Sequence, residues 1–258
     1  MTEHGIGNGI SLLIFAGIVG RLPVLAGQTF TTLTQEDIFP FATFFAVGLL
    51  VILGVVVINE ATRRIPVQYA RRAARGGVVS QATHLPMRIN QAGVIPIIFA
   101  VSLVLAPSMV GQFLLNSPNP ALSRFAQMLI DAFSPSSPVY NLVYFGLVLG
   151  FTFFYTAIVF NPVKIADEIK KYGGFIPGIR PGSGTSEYLS FVLTRITLPG
   201  GIFLGSIAVL PSVIQGFSGI TTLAIGGTGL LIVVSVVLET VRKMEAQLVM
   251  RNYDKFTQ

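Results

Sequence analysis

Six stretches of this chain run almost free of charge for the length of a membrane crossing: about 8–26, 40–59, 90–113, 138–160, 196–216 and 222–238. About 20 apolar residues in an α-helix span the hydrocarbon core, and the stretches lack the two-residue alternation of a membrane β-barrel. The pattern therefore predicts an all-α fold, a polytopic membrane helical bundle of six transmembrane helices. Lipid offers no hydrogen-bond partners, so each helix must pair its own backbone groups. Pro96 and Pro107 lie inside or at the end of the third stretch. Each removes a donor, so that helix is expected to kink and to pack against protein. Arg21 stands late enough in the first stretch to reach an interface.

The polar segments between the stretches are unequal. Two are long, 60–89 and 161–195, and a tail of 239–258 follows the last stretch. In the first, Arg64-Ile65-Pro66-Val67-Gln68-Tyr69 and Val78-Val79-Ser80-Gln81-Ala82-Thr83-His84-Leu85-Pro86 flank Gly76-Gly77, which predicts a basic two-stranded hairpin. A lone hairpin is marginal in water, so this one needs a partner or the protein's own surface. It reads equally as a solvated loop or as a docking surface for something acidic. In the second, Asn161-Pro162 starts a short helix with proline in its first turn. Ile165, Ile169 and Tyr172 form its apolar face, Lys164/Glu168 and Asp167/Lys171 are i,i+4 pairs, and Gly173-Gly174 ends it.

A stiff loop follows, Phe175-Ile176-Pro177-Gly178-Ile179-Arg180-Pro181-Gly182, with one arginine near its tip. Thr185 or Ser186 is expected to cap the next helix. The tail continues as a helix with Val241, Met244 and Leu248 on one stripe, lying on or just below the membrane surface.

Charge adds sidedness to this picture. Arg63, Arg64, Arg71, Arg72, Arg75 and Arg88 lie in the first long loop. Lys164, Lys170, Lys171, Arg180 and Arg195 lie in or beside the second, and Arg242, Lys243, Arg251 and Lys255 in the tail. Only Arg21 and Arg124 of the 17 basic residues fall elsewhere. The positive-inside bias then puts both long loops and both termini of this segment in the cytoplasm.

Composition mainly excludes. The chain is 52% hydrophobic and only 11% charged, outside the range of soluble domains. It has no cysteine, hence no disulfide frame or thiolate site. His4 and His84 are isolated and lack metal-ligand spacing, so no metal is expected. No carboxylate, lysine or histidine sits deep in a span, where ion-coupled carriers place them. Gly226-Gly227-Thr228-Gly229 opens a membrane helix and reads as a tight entry turn or close packing rather than a phosphate loop. Neither an enzyme nor a cofactor is expected. The first residues lack the basic n-region and cleavage site of a signal peptide, and Met1 is expected to be an internal methionine of a longer chain.

Several motifs together resemble the bacterial SecY family, the channel subunits of the protein-export translocon. They are Gly5-Ile6-Gly7-Asn8-Gly9-Ile10-Ser11, Arg63-Arg64-Ile65, Thr83-His84-Leu85-Pro86 and Asn90 with Ala92-Gly93-Val94-Ile95-Pro96. Phe154-Tyr155-Thr156-Ala157, Phe160-Asn161-Pro162, Pro177-Gly178-Ile179-Arg180-Pro181-Gly182 and Gly226-Gly227-Thr228 complete the set. The resemblance runs from end to end but covers only the family's C-terminal half, its fifth to tenth spans. It implies one half of a pseudo-symmetric clamshell channel in the plasma membrane.

The implied roles follow position by position. Ile14, Ile98 and Ile232 match an apolar pore ring, and Ser102, one turn after Ile98, faces the pore. Asn90, at the start of the third span, and Val94 match the lateral gate through which hydrophobic segments leave into lipid. Arg63, Arg64, Lys170, Lys171, Gly178, Arg180, Pro181 and Gly182 match the surface on which the SecA motor ATPase and the ribosome dock. The implied partners are SecE, SecG, SecA, the ribosome, preprotein substrates and the bilayer. Two other readings compete on the residues alone: half of a secondary transporter, and a membrane-bound RNA-binding module.

Overall fold

A computed structural model describes residues 9–32, 38–72, 78–218, 229, 232–238, 240–245 and 248. The opening motif up to Asn8, the Gly76-Gly77 turn, the Gly226-Gly227-Thr228 motif and the tail beyond Leu248 lie outside the described residues. Helices stand at the first five expected stretches: α1 (Gly9–Thr32), α2 (Ile38–Glu60), α3 (Ile95–Leu115), α5 (Pro138–Val159) and α7 (Ser183–Ser218). In the sixth stretch Gly229 and residues 232–238 are helical, and helix continues over 240–245. Two elements were not expected, α4 (Pro120–Ala132) and the short β3 (Gly174–Phe175). The expected short helix is α6 (Pro162–Lys171).

Three described helices are long and apolar enough to cross a membrane. They lie in Ile95–Leu115, Pro138–Lys171 and Ser183–Val213, with mean hydropathies of 2.1, 2.0 and 1.7. The second run covers both α5 and α6, between which Phe160 and Asn161 leave helical geometry. Asn161 causes that break: its Oδ1 accepts from the amides of Val163 and Lys164, both at 3.1 Å, and Pro162 supplies the fixed φ of a first turn.

The hairpin forms as β1 (Thr62–Arg72) and β2 (Val78–Arg88), paired antiparallel with Ile65 opposite Leu85 and Val67 opposite Thr83. The fold is thus mostly helical but not purely so: β3 pairs with the other edge of β1 at Gln68 and Tyr69, giving a sheet of order β2-β1-β3. Pro66 stands where β1 has no neighbour on that side, and Pro86 is on the edge strand β2, so neither costs a needed donor. The Ile89 amide donates to the Ala61 carbonyl at 3.0 Å and closes the hairpin's base.

Pro96 does not kink α3. Val94 is the N-cap, so Pro96 lies in the first turn, where its missing N–H would have been unpaired anyway. Pro107 remains inside the helix. After α3, Asn119-Pro120 starts α4, with Asn119 Oδ1 accepting from the Ala121 amide at 3.0 Å. The two helices approach closely at Gly111, where an added Cβ would lie 2.9 Å from Ile130 Cγ1 and 3.0 Å from the Ala126 carbonyl oxygen.

The chain divides into two compact units. One comprises Met1–Val57, Ser134–Asn141 and Ile207–Gln258; the other comprises Ile58–Phe133 and Leu142–Ser206. In the first, Gly229 abuts α1: a Cβ there would lie 3.1 Å from Ile18 Cγ2. The second holds the sheet, α6 and the arginine loop.

Candidate functional site

The two long loops and the start of α7 fold around a common apolar core. Ile65 and Val67 of β1 point inward with Met87 of β2, following the two-residue period of a strand. They meet Phe160, Ile169 of α6, Ile176 of the stiff loop, and Leu189, Val192 and Leu193 of α7. Tyr69, Leu85, Ile165, Ile179, Tyr188 and Ile196 pack around this cluster. The hairpin therefore uses the protein's own surface as its partner. Tyr172, expected on the inner face of α6, is instead 72% exposed, because it is the C-cap residue where the helix ends.

Close approach ties β3 to this core. A Cβ on Gly174 would lie 2.7 Å from Tyr69 Cε1 and 3.0 Å from Ile169 Cγ2, so only glycine lets the strand cross there. The Gly173 amide donates to the Lys170 carbonyl at 3.0 Å and ends α6.

The loop between β3 and α7 is held by three local devices. The Ile179 amide donates to the Ile176 carbonyl at 3.0 Å, closing a turn with Pro177 and Gly178 at its centre. Proline followed by a glycine at φ 82° is the pattern of a type II turn. Gly182 has φ 98°, a backbone that other residues adopt only with strain, and its carbonyl accepts from the Ser186 amide at 3.1 Å. Thr185 is fully buried, and its hydroxyl donates to the Arg180 carbonyl at 3.1 Å.

Thr185 is thus not the expected cap. The helix begins at Ser183, and Thr185 reaches back from the first turn to hold the arginine's backbone. Sequence reasoning missed this lock and the Gly174 crossing, since both depend on which segments meet in space.

Arg180 itself is exposed, and its guanidinium makes no hydrogen bond or ion pair among the described residues. Gly178 and Pro181 are exposed beside it, and Gly182 is half-buried under Lys170. Lys170 and Lys171 are exposed in the last turn of α6, and Arg63 and Arg64 are exposed on β1. All five basic side chains stand on elements that share the one core. The pairs Lys164/Glu168 and Asp167/Lys171 form no ion pair. The surface is therefore a rigid, cationic, outward-facing platform suited to holding an acidic or phosphate-bearing partner. Among the described residues no group of three or more His, Asp or Glu side chains could hold a metal.

The remaining expected site residues lie elsewhere. Ile14 in α1 and Ile232 in the last helix belong to one compact unit, Ile98 in α3 to the other, and each is half-buried. Ile14 lies one turn before Ile18, and Ile232 three residues beyond the Gly229 that Ile18 meets. Ser102 is exposed, and its hydroxyl donates to the Ile98 carbonyl at 2.9 Å. Asn90 precedes the helix rather than beginning it: α3 starts at Ile95, beyond Gly93 with φ 64°. Its buried side chain donates from Nδ2 to Asn59 Oδ1 at 2.9 Å, and Val94 is buried as the N-cap.

Comparison with known proteins bears on the whole chain. A family model described as SecY matches residues 1–241. The chain is similar to the protein translocase subunit SecY of Mycobacterium leprae, 45% identical over 262 aligned residues that cover 99% of this chain and 59% of that protein. It is 47% identical to the protein translocase subunit SecY of Mycobacterium tuberculosis strain H37Rv, with the same coverage, and 45% to that of Streptomyces galbus, over 58% of its length. The chain thus spans under two thirds of the curated relatives it matches. Two solved structures are similar in fold. One concerns the SecY plug domain and the closed state of the translocation channel (TM-score 0.63, 20% identity, 96% of this chain and 61% of that one). The other is a protein-conducting channel (TM-score 0.58, 20% identity, the same coverage).

Proposed function

The chain belongs to the SecY family, and from that premise we propose that it forms the C-terminal half of a protein-conducting channel in the bacterial plasma membrane. In this reading six helices, including one over 222–238, make one half of a clamshell, and residues 60–89, 161–195 and 239–258 face the cytoplasm. Preproteins would cross unfolded, and hydrophobic segments would leave sideways into lipid past Asn90 and Val94. The complete channel would assemble with SecE and SecG. The deep spans' lack of ionisable residues favours this over an ion-coupled transporter. The reading makes the protein a channel subunit rather than an enzyme.

The observation that carries the reading is the platform. A Pro-Gly turn, a glycine at φ 98° and the Thr185 hydroxyl hold Arg180 exposed above a packed core. A pre-organised contact loses little entropy on binding, which suits a surface that a motor ATPase or a ribosome must engage repeatedly. Lys170, Lys171, Arg63 and Arg64, exposed on elements that share the same core, add positive charge available to acidic protein or ribosomal RNA. Arg180→Glu in the full-length protein is expected to leave membrane insertion intact and to abolish motor-driven export of a preprotein. Normal export would remove Arg180 from the docking role.

Ile14, Ile98 and Ile232 would seal the pore, since branched apolar side chains exclude water yet can part for a polypeptide. Replacing the three by glycine should raise the resting channel's ion conductance in planar bilayers, and an unchanged conductance would dismiss the ring.

A further inference from the structure

A cleft of about 160 Å³ lies between α5 and α7. Thr156 of α5 and Thr197 of α7 line it from its two helical walls and are only 2% and 1% exposed. Neither hydroxyl has a hydrogen-bond partner among the described residues. That departs from the habit of these same helices. Thr152, Thr194 and Ser206 each donate to the carbonyl one turn earlier, at 2.7, 3.0 and 2.8 Å. A buried hydroxyl left unpaired costs free energy, so two of them lining one cavity point to an acceptor inside it.

The cleft is accessible and amphipathic. Ala157, Ser190 and Thr194 are exposed and form a small-residue mouth, while Phe160 and Pro162 line it toward α6. Its level is marked by charge. Arg195 follows Thr194 and holds its guanidinium 4.1 Å from the centre of the exposed Phe191 ring; Lys164, two residues past Pro162, is also exposed. Arg195 immediately precedes the charge-free stretch 196–216 of α7, and a cation stacked on an aromatic at the start of such a stretch is an interfacial anchor, placed where headgroup phosphates and acyl esters concentrate.

We propose that this cleft is a phospholipid site, in which the Thr156 and Thr197 hydroxyls donate to phosphate or ester oxygens of one bilayer lipid while its apolar part lies along Phe153. Arg195 and Lys164, exposed one and two residues along the chain from the lining residues Thr194 and Pro162, add positive charge to the neighbouring surface. The inference needs only that α5 and α7 cross a bilayer and is independent of any role in translocation.

The test uses the full-length protein, purified with its partner subunits in detergent and titrated with phosphatidylglycerol under native mass spectrometry. Two variants are compared with the wild type. Thr156→Val with Thr197→Val removes both donors at constant shape, and Ala157→Leu fills the exposed mouth without touching either hydroxyl. The most tightly held lipid should bind roughly tenfold more weakly to the double variant, the size expected for two lost hydrogen bonds. Ala157→Leu should weaken it at least as much, and decides the matter alone if the double variant does not fold. Inorganic phosphate should not displace the lipid. Equal lipid affinity in wild type and Ala157→Leu, or displacement by inorganic phosphate, would overturn the proposal.

Discussion

The loop platform and the membrane helices are built on opposite rules. In the platform the large apolar side chains are inside: Ile65 is 2% exposed, Leu189 and Met87 fully buried, and arginines and lysines face out. In the spans many large apolar side chains face out, with Phe113 82% and Leu142 74% exposed, and small or hydroxylated residues share the buried positions with Ile97, Tyr144 and Leu204. Thr152, Ala100 and Thr197 are almost fully buried there, and Gly200, Gly201 and Gly205 lie at contacts with Ile89, Thr152 and Phe145. Water drives the first arrangement by the hydrophobic effect. Lipid is as apolar as leucine, so the second depends on close backbone approach and van der Waals contact.

The contrast can be broken by matched substitutions. Ile65→Ala should cost about 2–5 kcal/mol of platform stability, since it opens a cavity in a core surrounded by water. Limited proteolysis of the membrane-embedded full-length protein should then cut within 161–182 faster than in the wild type. Thr185→Val should cost about 1 kcal/mol by releasing the Arg180 carbonyl. Amide exchange at Ile179 and Ser186 should quicken while the hairpin amides stay protected. Leu142→Ala removes as large a side chain as Ile65→Ala, but from an exposed position on α5, and should change unfolding free energy in bilayers by no more than about 0.5 kcal/mol. A cost at Leu142 as large as at Ile65 would mean the two regions share one rule.

The same difference explains what could be read in the sequence. Around the platform, water imposes a legible code: two extended stretches flanking Gly76-Gly77, i,i+4 spacing in α6 and the Asn161-Pro162 start signal each pointed to the element that forms. In the spans hydropathy located helices but could not choose faces, because Leu142 and the buried Val148 look alike to it. Amphipathic α4 went unread within a segment taken as a connector, although Asn119-Pro120 carries the same start signal as Asn161-Pro162. The two-residue β3 is too short for any periodicity to register. Pro96 was read as a kink because the start of α3 was placed several residues early, before Gly93. The roles of Ile14, Ile98 and Ile232 came from family resemblance, since periodicity does not distinguish them from other core isoleucines.

In the function proposed above, the platform presents Arg180 to a cytoplasmic partner. The most direct measurement of that role is the affinity of the SecA motor ATPase for the full-length protein in lipid nanodiscs, wild type against Arg180→Glu, with the proteolytic pattern of the loops recorded in parallel. The account predicts an unchanged pattern and binding weakened by at least about tenfold, the scale of a lost charge-assisted contact. Equal affinity with an intact platform would contradict it.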